Sequence, residues 1–121
     1  MILPALILAI LTAPAPAEVS MYSAKYHGRR TASGERFNWK ATGDFTAAVK
    51  YRSGSKRPSL PFGTKVRLTG PTGKTIIVRI TDTGSYRTPM QWFDLQPAAF
   101  KALGLKISQG RSRKVTWEVV R

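Results

Sequence analysis

Apolar and polar residues alternate in the second half of the chain, and this alternation predicts β-strands. Residues 65–68 and 76–80 place an apolar side chain at every second position, and residues 71–73, Pro-Thr-Gly, lie between them. Two alternating segments joined by a Gly-containing turn are typical of a β-hairpin. Near the C-terminus, the apolar residues of 115–119 also share one face, which indicates a strand with one side on a core.

One helix is predicted, over residues 96–104. Pro97 lies near its first position, strong helix formers follow, and Gly104 marks its end. Residues 50–59 are polar and basic and contain Gly, Ser and Pro, so we expect a surface loop there. Short strands, many turns and one small helix favour a compact, closed β-barrel, because closure leaves no unpaired strand edge.

An apolar run at residues 2–11 is typical of a secretory signal peptide. Small residues follow at 13–17 and present a cleavage site before Glu18, so we predict a signal peptide over 1–17 and one domain over 18–121. The run is too short to span a bilayer comfortably, and no stable membrane span is expected. No Cys follows the run, so no lipid anchor is expected. We therefore predict a secreted, periplasmic or cell-wall-associated protein.

The chain is strongly basic, with 20 Lys and Arg against 6 Asp and Glu and a formal net charge of +14. This charge favours a polyanionic partner, although a solvated face that aids solubility explains it equally well. The basic residues form no block of five or six, so a nucleic-acid-binding tail is not indicated. With no Cys and only His27, neither a metal site nor a cofactor is predicted.

Three of the six acids lie in turn-rich segments. Glu35 follows Ser33 and Gly34, Asp82 precedes Thr83 and Gly84, and Asp94 lies between Phe93 and Leu95. A carboxylate in a strongly basic protein is either an ion-pair partner or a chemically active group. Three carboxylates beside Gly-containing turns and aromatic residues indicate a cleft that handles protons on a polar substrate.

Six short motifs occur in a fixed order. They are Tyr22, HGRRTASGERF at 27–37, TAA at 46–48, LPFGTKV at 60–66, VRITDTG at 78–84, and FDL at 93–95 with the helix after it. In this order they resemble the rare lipoprotein A (RlpA) family, from about Tyr22 to the C-terminus. The resemblance implies a mainly β fold, a single six-stranded double-psi β-barrel with one or two short helices, related to the catalytic half of expansins and to some endoglucanases.

The resemblance also implies lytic transglycosylase action on peptidoglycan, which cleaves the MurNAc–GlcNAc bond without water. A carboxylic acid protonates the glycosidic oxygen. The same group, then a carboxylate, helps the MurNAc C6 hydroxyl to attack the anomeric carbon and leave a 1,6-anhydro end. One acid/base is enough, unlike the paired carboxylates of ordinary hydrolases. Its pKa must be raised by burial or by a neighbouring carboxylate.

Asp82, Asp94 and Glu35 are the candidate catalytic residues. Asp82 matches the acid of the family's strand-end motif, and its alternative role is to cap a turn through the Gly84 N–H. Asp94 matches the Asp before Leu that is the essential acid in the expansin and endoglucanase relatives. Its alternative role is to cap the helix that follows. The twelve-residue separation of the two Asp residues predicts that a small barrel brings both to one groove.

Glu35 matches a family acid, although a surface ion pair with Arg29 or Arg36 is the favoured interpretation. Many relatives carry a second acid three residues further on, where this chain has Asn38. Many also carry a His shortly after the Thr-Ala-Ala motif, where this chain has Val-Lys-Tyr and a longer loop at 50–59. The wall of the groove is therefore altered in this chain.

Sugars bind by stacking their C–H faces on aromatic rings while polar groups fix the hydroxyls. Six side chains near the acids are predicted to bind glycan: Tyr26, His27, Arg30, Asn38, Tyr86 and Trp92. Core packing is the alternative for any one ring, and a structural hydrogen bond is the alternative for the lone His27.

Three classes of function remain open. A secreted lytic transglycosylase is favoured, an expansin-like, non-lytic wall binder or loosener is second, and a basic nucleic-acid- or membrane-active protein is third. The export signal argues against nucleic acid, and Asp82 and Asp94 argue for glycan chemistry. We expect a monomer that acts on peptidoglycan or another cell-wall glycan, with no nucleic-acid partner.

Overall fold

The computed structural model describes residues 14–121, and its six strands close into a barrel in the order β1-β5-β2-β4-β3-β6. The strands are β1 (Ala15–Met21), β2 (Phe45–Lys50), β3 (Lys65–Thr69), β4 (Thr75–Gly84), β5 (Gln91–Leu95) and β6 (Arg111–Val119). One α-helix, α1 (Pro97–Ala102), and two 3-10 helices (Ala24–Tyr26 and Ile107–Gln109) connect them. The predicted six-stranded barrel with short helices is confirmed.

Two strand pairs are parallel, β1 with β5 and β2 with β4, and the remaining pairs are antiparallel. The predicted hairpin is β3 and β4, in which Val66 pairs with Val78 and Leu68 with Ile76. The inward side chains of all six strands form one core, with Val19, Val49, Val66, Leu68, Val78, Ile80, Phe93, Leu95 and Val115 among its members.

The predicted helix is also confirmed. It begins at Pro97 after Gln96, and Phe100 and Leu103 at its end are fully buried against the barrel. The buried Gln96 side chain exchanges two hydrogen bonds with Thr46 of β2, one of 2.9 Å to the hydroxyl and one of 3.2 Å from the backbone N–H. Because Ala47 pairs with Leu95, these bonds extend the pairing of β2 and β5 by one position. They also attach the start of α1 to β2.

The basic segment predicted as a surface loop lies at the end of β2. Residues 52–57 are exposed, and the loop closes on itself through a bridge between Tyr51 and Pro58 and a 2.8 Å bond from the Arg52 N–H to the Arg57 carbonyl. The segment therefore forms a short loop, closed at its base, that projects from the barrel beside the end of β4.

Most of the predicted signal peptide, residues 1–13, lies outside the described residues. The predicted boundary after residue 17 falls inside β1, where Ala15 pairs with Trp117 and Ala17 pairs with Val115. Ala17 and Glu18 are both fully buried. No helix within residues 14–121 is long and apolar enough to cross a membrane.

Candidate active site

A bulge in β4 determines which way Asp82 points. Val78 and Ile80 face the core, and strict alternation along the strand would turn Asp82 inward as well. However, β2 pairs Ala47 with Ile80 and Ala48 with Asp82, so β4 carries one extra residue, Thr81, at this point. An extra residue in one strand reverses the alternation beyond it. Asp82 therefore lies on the outer face of the barrel, beside Ala48.

Four outward residues form a row across four neighbouring strands. Ser20 pairs with Asp94, Asp94 pairs with Ala48, and Ala48 pairs with Asp82. Because neighbouring strands lie about 4.8 Å apart, the two aspartate Cα atoms are roughly 9–10 Å apart across Ala48. Ala48, between the two aspartates, is buried in a cluster with Tyr22, Phe37 and Trp92. The structure thus brings Asp82 and Asp94 into one row on the same face of the barrel, and a groove that holds both stays a prediction.

Asp94 is half-buried and holds one hydrogen bond from a side chain. The Ser20 hydroxyl donates to its Oδ1 at 2.8 Å, and the Trp92 indole N–H donates to the Ser20 oxygen at 2.8 Å. Burial raises the pKa of Asp94 from its ordinary 3.8 to about 6; the bond from Ser20 opposes this rise, and the charge of Asp82 adds to it. A carboxyl group with this pKa can donate a proton near neutral pH.

Asp82 is held by three donors. The Tyr22 hydroxyl donates to Oδ2 at 2.8 Å, and the backbone N–H groups of Ala32 and Thr83 donate to Oδ1 at 2.9 Å each. Burial and the neighbouring Asp82 raise the pKa of Tyr22 far above its ordinary value, so this phenol remains a donor at any working pH. The turn cap considered for Asp82 thus uses Ala32 and Thr83 rather than the Gly84 N–H.

Glu35 forms an ion pair, as expected, but with a different partner. Its carboxylate accepts two bonds from Arg79, at 2.6 and 2.9 Å, rather than pairing with Arg29 or Arg36. These bonds hold the pKa of Glu35 below its ordinary value, against a smaller opposing effect of burial. Glu35 is therefore poorly suited to donate a proton.

The segment at residues 27–37 forms a tight turn that carries the Ala32 N–H to Asp82. Arg30 donates to the Gly34 carbonyl at 3.0 Å, and the Ser33 N–H donates to the Thr81 carbonyl at 3.0 Å. The guanidinium of Arg30, predicted to bind substrate, is thus engaged in holding this turn. The contact with Thr81 attaches the turn to the bulge that directs Asp82 outward.

His27 and Asn38 lie on the exposed flank of the same turn. The His27 Nδ1 accepts a bond of 3.2 Å from the Trp39 N–H, and the Asn38 Oδ1 accepts one of 3.1 Å from the Lys40 N–H. The structural hydrogen bond considered for His27 is therefore present. Both residues are exposed.

The predicted aromatic residues occupy two sides of the row. Tyr86 stacks on Trp92 with 5.0 Å between ring centroids, and Tyr26 meets the edge of Tyr22 at 6.0 Å. Trp92 itself is buried, and a Cβ at Gly84 would come within 2.8 Å of its indole, so only glycine fits there. Trp92 therefore supports Tyr86 from below.

Sequence reasoning did not assign three residues of this site: Ser20, Tyr22 and Ala48. In residues 19–22, Ser20 and Tyr22 alternate with the buried Val19 and the partly buried Met21, both in contact with the core, so a period of two was present in the sequence. The position of Ala48 between the acids depends on strand order, which no local pattern encodes.

The comparisons with known proteins fit this architecture. The family model described as "Lytic transglycolase" matches residues 17–117, which is most of the chain. The chain belongs to the lytic transglycolase family. The predicted RlpA-like double-psi β-barrel is thereby confirmed.

Two relatives of this lytic transglycolase domain have names that state an activity. The Synechocystis sp. protein named "Probable endolytic peptidoglycan transglycosylase RlpA" is 41% identical over 74% of this chain and 24% of its own length. The Neisseria meningitidis serogroup A protein named "Endolytic peptidoglycan transglycosylase RlpA" is 34% identical over 84% of this chain and 37% of its own length. The chain thus spans about a quarter to about a third of these two relatives.

Solved structures support the fold of the lytic transglycolase domain. The expansin of Clavibacter michiganensis superposes with a TM-score of 0.65 at 24% identity, over 90% of this chain and 51% of the expansin. The Streptomyces papain inhibitor superposes with a TM-score of 0.64 at 21% identity, over 92% of this chain and 97% of the inhibitor. At these identities the likeness concerns the fold alone.

Proposed function

We propose that this chain is a secreted peptidoglycan lytic transglycosylase that cleaves the MurNAc–GlcNAc bond and leaves a 1,6-anhydro end. The observation that carries the proposal is the pairing of Asp94 and Asp82 across Ala48. Burial raises the pKa of Asp94 to about 6, and the Asp82 carboxyl group is fixed by three donors. The names of the two relatives support the choice of peptidoglycan as substrate.

Asp94 acts as the general acid and then as the general base. Its protonated carboxyl group gives its proton to the oxygen between MurNAc and GlcNAc, and the bond from that oxygen to the MurNAc anomeric carbon breaks. The MurNAc C6 hydroxyl then attacks the anomeric carbon and returns its proton to the Asp94 carboxylate. The residue ends the cycle as it began, and no water is consumed.

Asp82 acts as the fixed negative charge of the site. Positive charge develops at the anomeric carbon as the glycosidic bond breaks, and a preorganised carboxylate nearby stabilises it. The bonds from Tyr22, Ala32 and Thr83 hold Asp82 in place without any rearrangement during the reaction. The same charge helps to keep the proton on Asp94.

Product analysis tests this proposal directly. Purified protein is incubated with peptide-free glycan strands, and the new ends are identified by mass spectrometry. The 1,6-anhydro ends are lighter by one water than the ends that hydrolysis would produce. Hydrolysed ends would refute the transglycosylase mechanism, and binding without any cleavage would favour the expansin-like alternative.

The export step is a separate part of the proposal, and it rests on the sequence of residues 1–17. Cleavage before Glu18 would remove residues 15–17 from β1 and leave the new amino terminus at a fully buried residue. The intact mass of the exported protein identifies its first residue. Retention of residues 1–17 in that protein would contradict the signal-peptide assignment.

A further inference from the structure

A second feature of the outer face is a groove next to the aspartate row. It has a volume of about 640 Å³ and lies between the loop at residues 50–55 and the loop at residues 84–88. Lys50 and Gly84 pair where β2 and β4 end, two residues beyond Ala48 and Asp82. Two strand residues span roughly 6.6 Å, so the groove lies one row along the barrel from the two aspartates. Its volume suits a ligand of the size of one or two sugars.

The charged residues that line this groove are all basic. Lys50, Arg52 and Arg87 line it, and its lining includes no Asp or Glu. Neither Arg52 nor Arg87 forms an ion pair with any residue of the part of the chain that the structure describes. The Lys50 ammonium donates to the Thr88 carbonyl at 3.2 Å, which joins the two loops across the floor of the groove. The groove lining therefore carries three cations, and the Glu18 carboxylate, which accepts a 3.3 Å bond from the Thr88 hydroxyl, is paired with Arg113.

The remaining walls suit a sugar. Ser53, Ser55 and Ser85 supply hydroxyl groups at the rim, and Tyr86 supplies a ring that is held in place by its stack on Trp92. A cationic pocket with hydroxyls and a fixed ring matches a sugar that carries an acidic group. Arginine binds a carboxylate through two parallel hydrogen bonds, which gives orientation as well as attraction.

We propose that this groove is a subsite for a carboxylate-bearing part of the glycan, bound by Arg52 and Arg87 while Lys50 holds the two loops together. The inference rests on the proposed function, because it takes the bound strand to be peptidoglycan. Two sources supply such carboxylates: the lactyl group of MurNAc and the peptide attached to it. Either source places the acid on the sugar next to the bond that Asp94 cleaves.

Binding measurements in an Asp94→Asn background test the subsite without depending on cleavage. The Arg52→Gln/Arg87→Gln variant is compared with Lys56→Gln/Arg57→Gln, which removes the same charge at exposed residues outside the groove, in the loop that carries Arg52. Peptide-free strands are the first probe, with lactyl carboxylates either free or converted to methylamides. We expect the groove variant to bind free strands about tenfold more weakly, as for loss of a charge-assisted hydrogen bond. The control should change binding by less than about twofold.

Amidated strands separate carboxylate recognition from general attraction. On them, the groove variant and the unsubstituted background should bind equally. If the groove variant still binds amidated strands more weakly than the background does, the proposal is overturned. Equal losses of affinity in the groove variant and the control variant would also overturn it. Each of these outcomes indicates attraction by diffuse charge rather than recognition of a carboxylate. Tighter binding of an anionic phosphodiester polymer than of either glycan would also overturn it.

Peptide-bearing strands identify the source of the carboxylate. If the tenfold loss appears only with them, the peptide supplies the acid; if it appears already with peptide-free strands, the lactyl group does. Failure of the wild-type protein to form anhydro ends would refute the proposed reaction while leaving these binding results interpretable. The two failures are therefore distinguishable.

Discussion

Asp94 and Asp82 lie in the same row of the barrel, yet their surroundings differ. Asp94 on β5 receives one side-chain hydrogen bond, from Ser20, and burial raises its pKa to about 6. Asp82 on β4 receives three bonds, from Tyr22 and from two backbone N–H groups. The strands beneath the two residues differ as well, since Asp82 reaches the outer face only through the bulge at Thr81.

The difference between the two residues gives them different chemical roles. A carboxyl group with few donors and little solvent favours its protonated form, whereas a carboxyl group held by three donors keeps one orientation throughout a reaction. Two residues of one type can therefore act as acid and as fixed charge, as pairs of carboxylates do in other glycan-cleaving sites. Substitutions at each position test whether the two residues have these different roles.

Asp94→Asn is expected to have the largest effect. Asparagine retains the shape and can still accept the Ser20 bond, but it cannot donate a proton to the glycosidic oxygen. Loss of a general acid costs about 10²–10⁴-fold in rate, so anhydro-product formation should fall to background. Quantitative mass spectrometry of the released ends measures it, and circular dichroism checks that the barrel is intact. Wild-type rates of release would remove Asp94 from the mechanism.

Asp82→Asn is expected to slow the reaction less, by about 10²–10³-fold, through loss of electrostatic stabilisation. It should also change the pH profile of the remaining activity. Because the charge of Asp82 contributes to the raised pKa of Asp94, its removal lowers that pKa, and the alkaline limb of the profile moves to lower pH. An unchanged limb would show that the two carboxyl groups do not interact.

The pattern of the sequence predicts part of this arrangement. Alternation at residues 65–80 predicts the β3–β4 hairpin, and Pro97 and Gly104 predict the helix, because each signal is local. The same alternation would place Asp82 inside with Val78 and Ile80, since the bulge is set by pairing with β2 rather than by β4 itself. The ion pair of Glu35 with Arg79 joins residues 44 positions apart, and only the closed barrel brings them together.

The stability of the two Asp variants should change in opposite directions. The folded-state pKa of Asp94, about 6, exceeds the ordinary 3.8, so the folded chain binds more protons than the unfolded chain between these values. Its contribution to the free energy of unfolding therefore falls as pH rises from about 4 to about 6 and stays low above that. Asp94→Asn removes this cost, which is about 1–3 kcal/mol at pH 8 and close to zero at pH 4.

Thermal unfolding at both pH values checks this prediction. Asp94→Asn should raise Tm by several degrees at pH 8, since about 1 kcal/mol shifts Tm by roughly 4–8 °C in a domain of this size. Asp82→Asn should lower Tm at pH 8, because three donors lose their charged acceptor at a cost of about 1–3 kcal/mol. Equal decreases of Tm for both variants at pH 8 would refute the assignment of Asp94 as a buried carboxyl group with a raised pKa.

Glu35→Gln is expected to have the smallest effect on activity, because Glu35 acts on Asp82 only through the turn at residues 27–37. The Glu35 side chain is 44% exposed, and an exposed ion pair stabilises a fold by about 0–1 kcal/mol. The substitution loosens the turn that carries the Ala32 N–H to Asp82, so we expect activity to fall a few-fold while 1,6-anhydro ends still form.

Glu118→Gln is the matched control, since it breaks a comparable ion pair with Arg67 (2.7 Å) on β3 and β6, outside the row of aspartates. This control should leave activity unchanged, which separates positioning of Asp82 from general destabilisation. A loss with Glu35→Gln as large as that with Asp94→Asn would instead make Glu35 a proton donor or acceptor, and the two-aspartate mechanism would have to be abandoned.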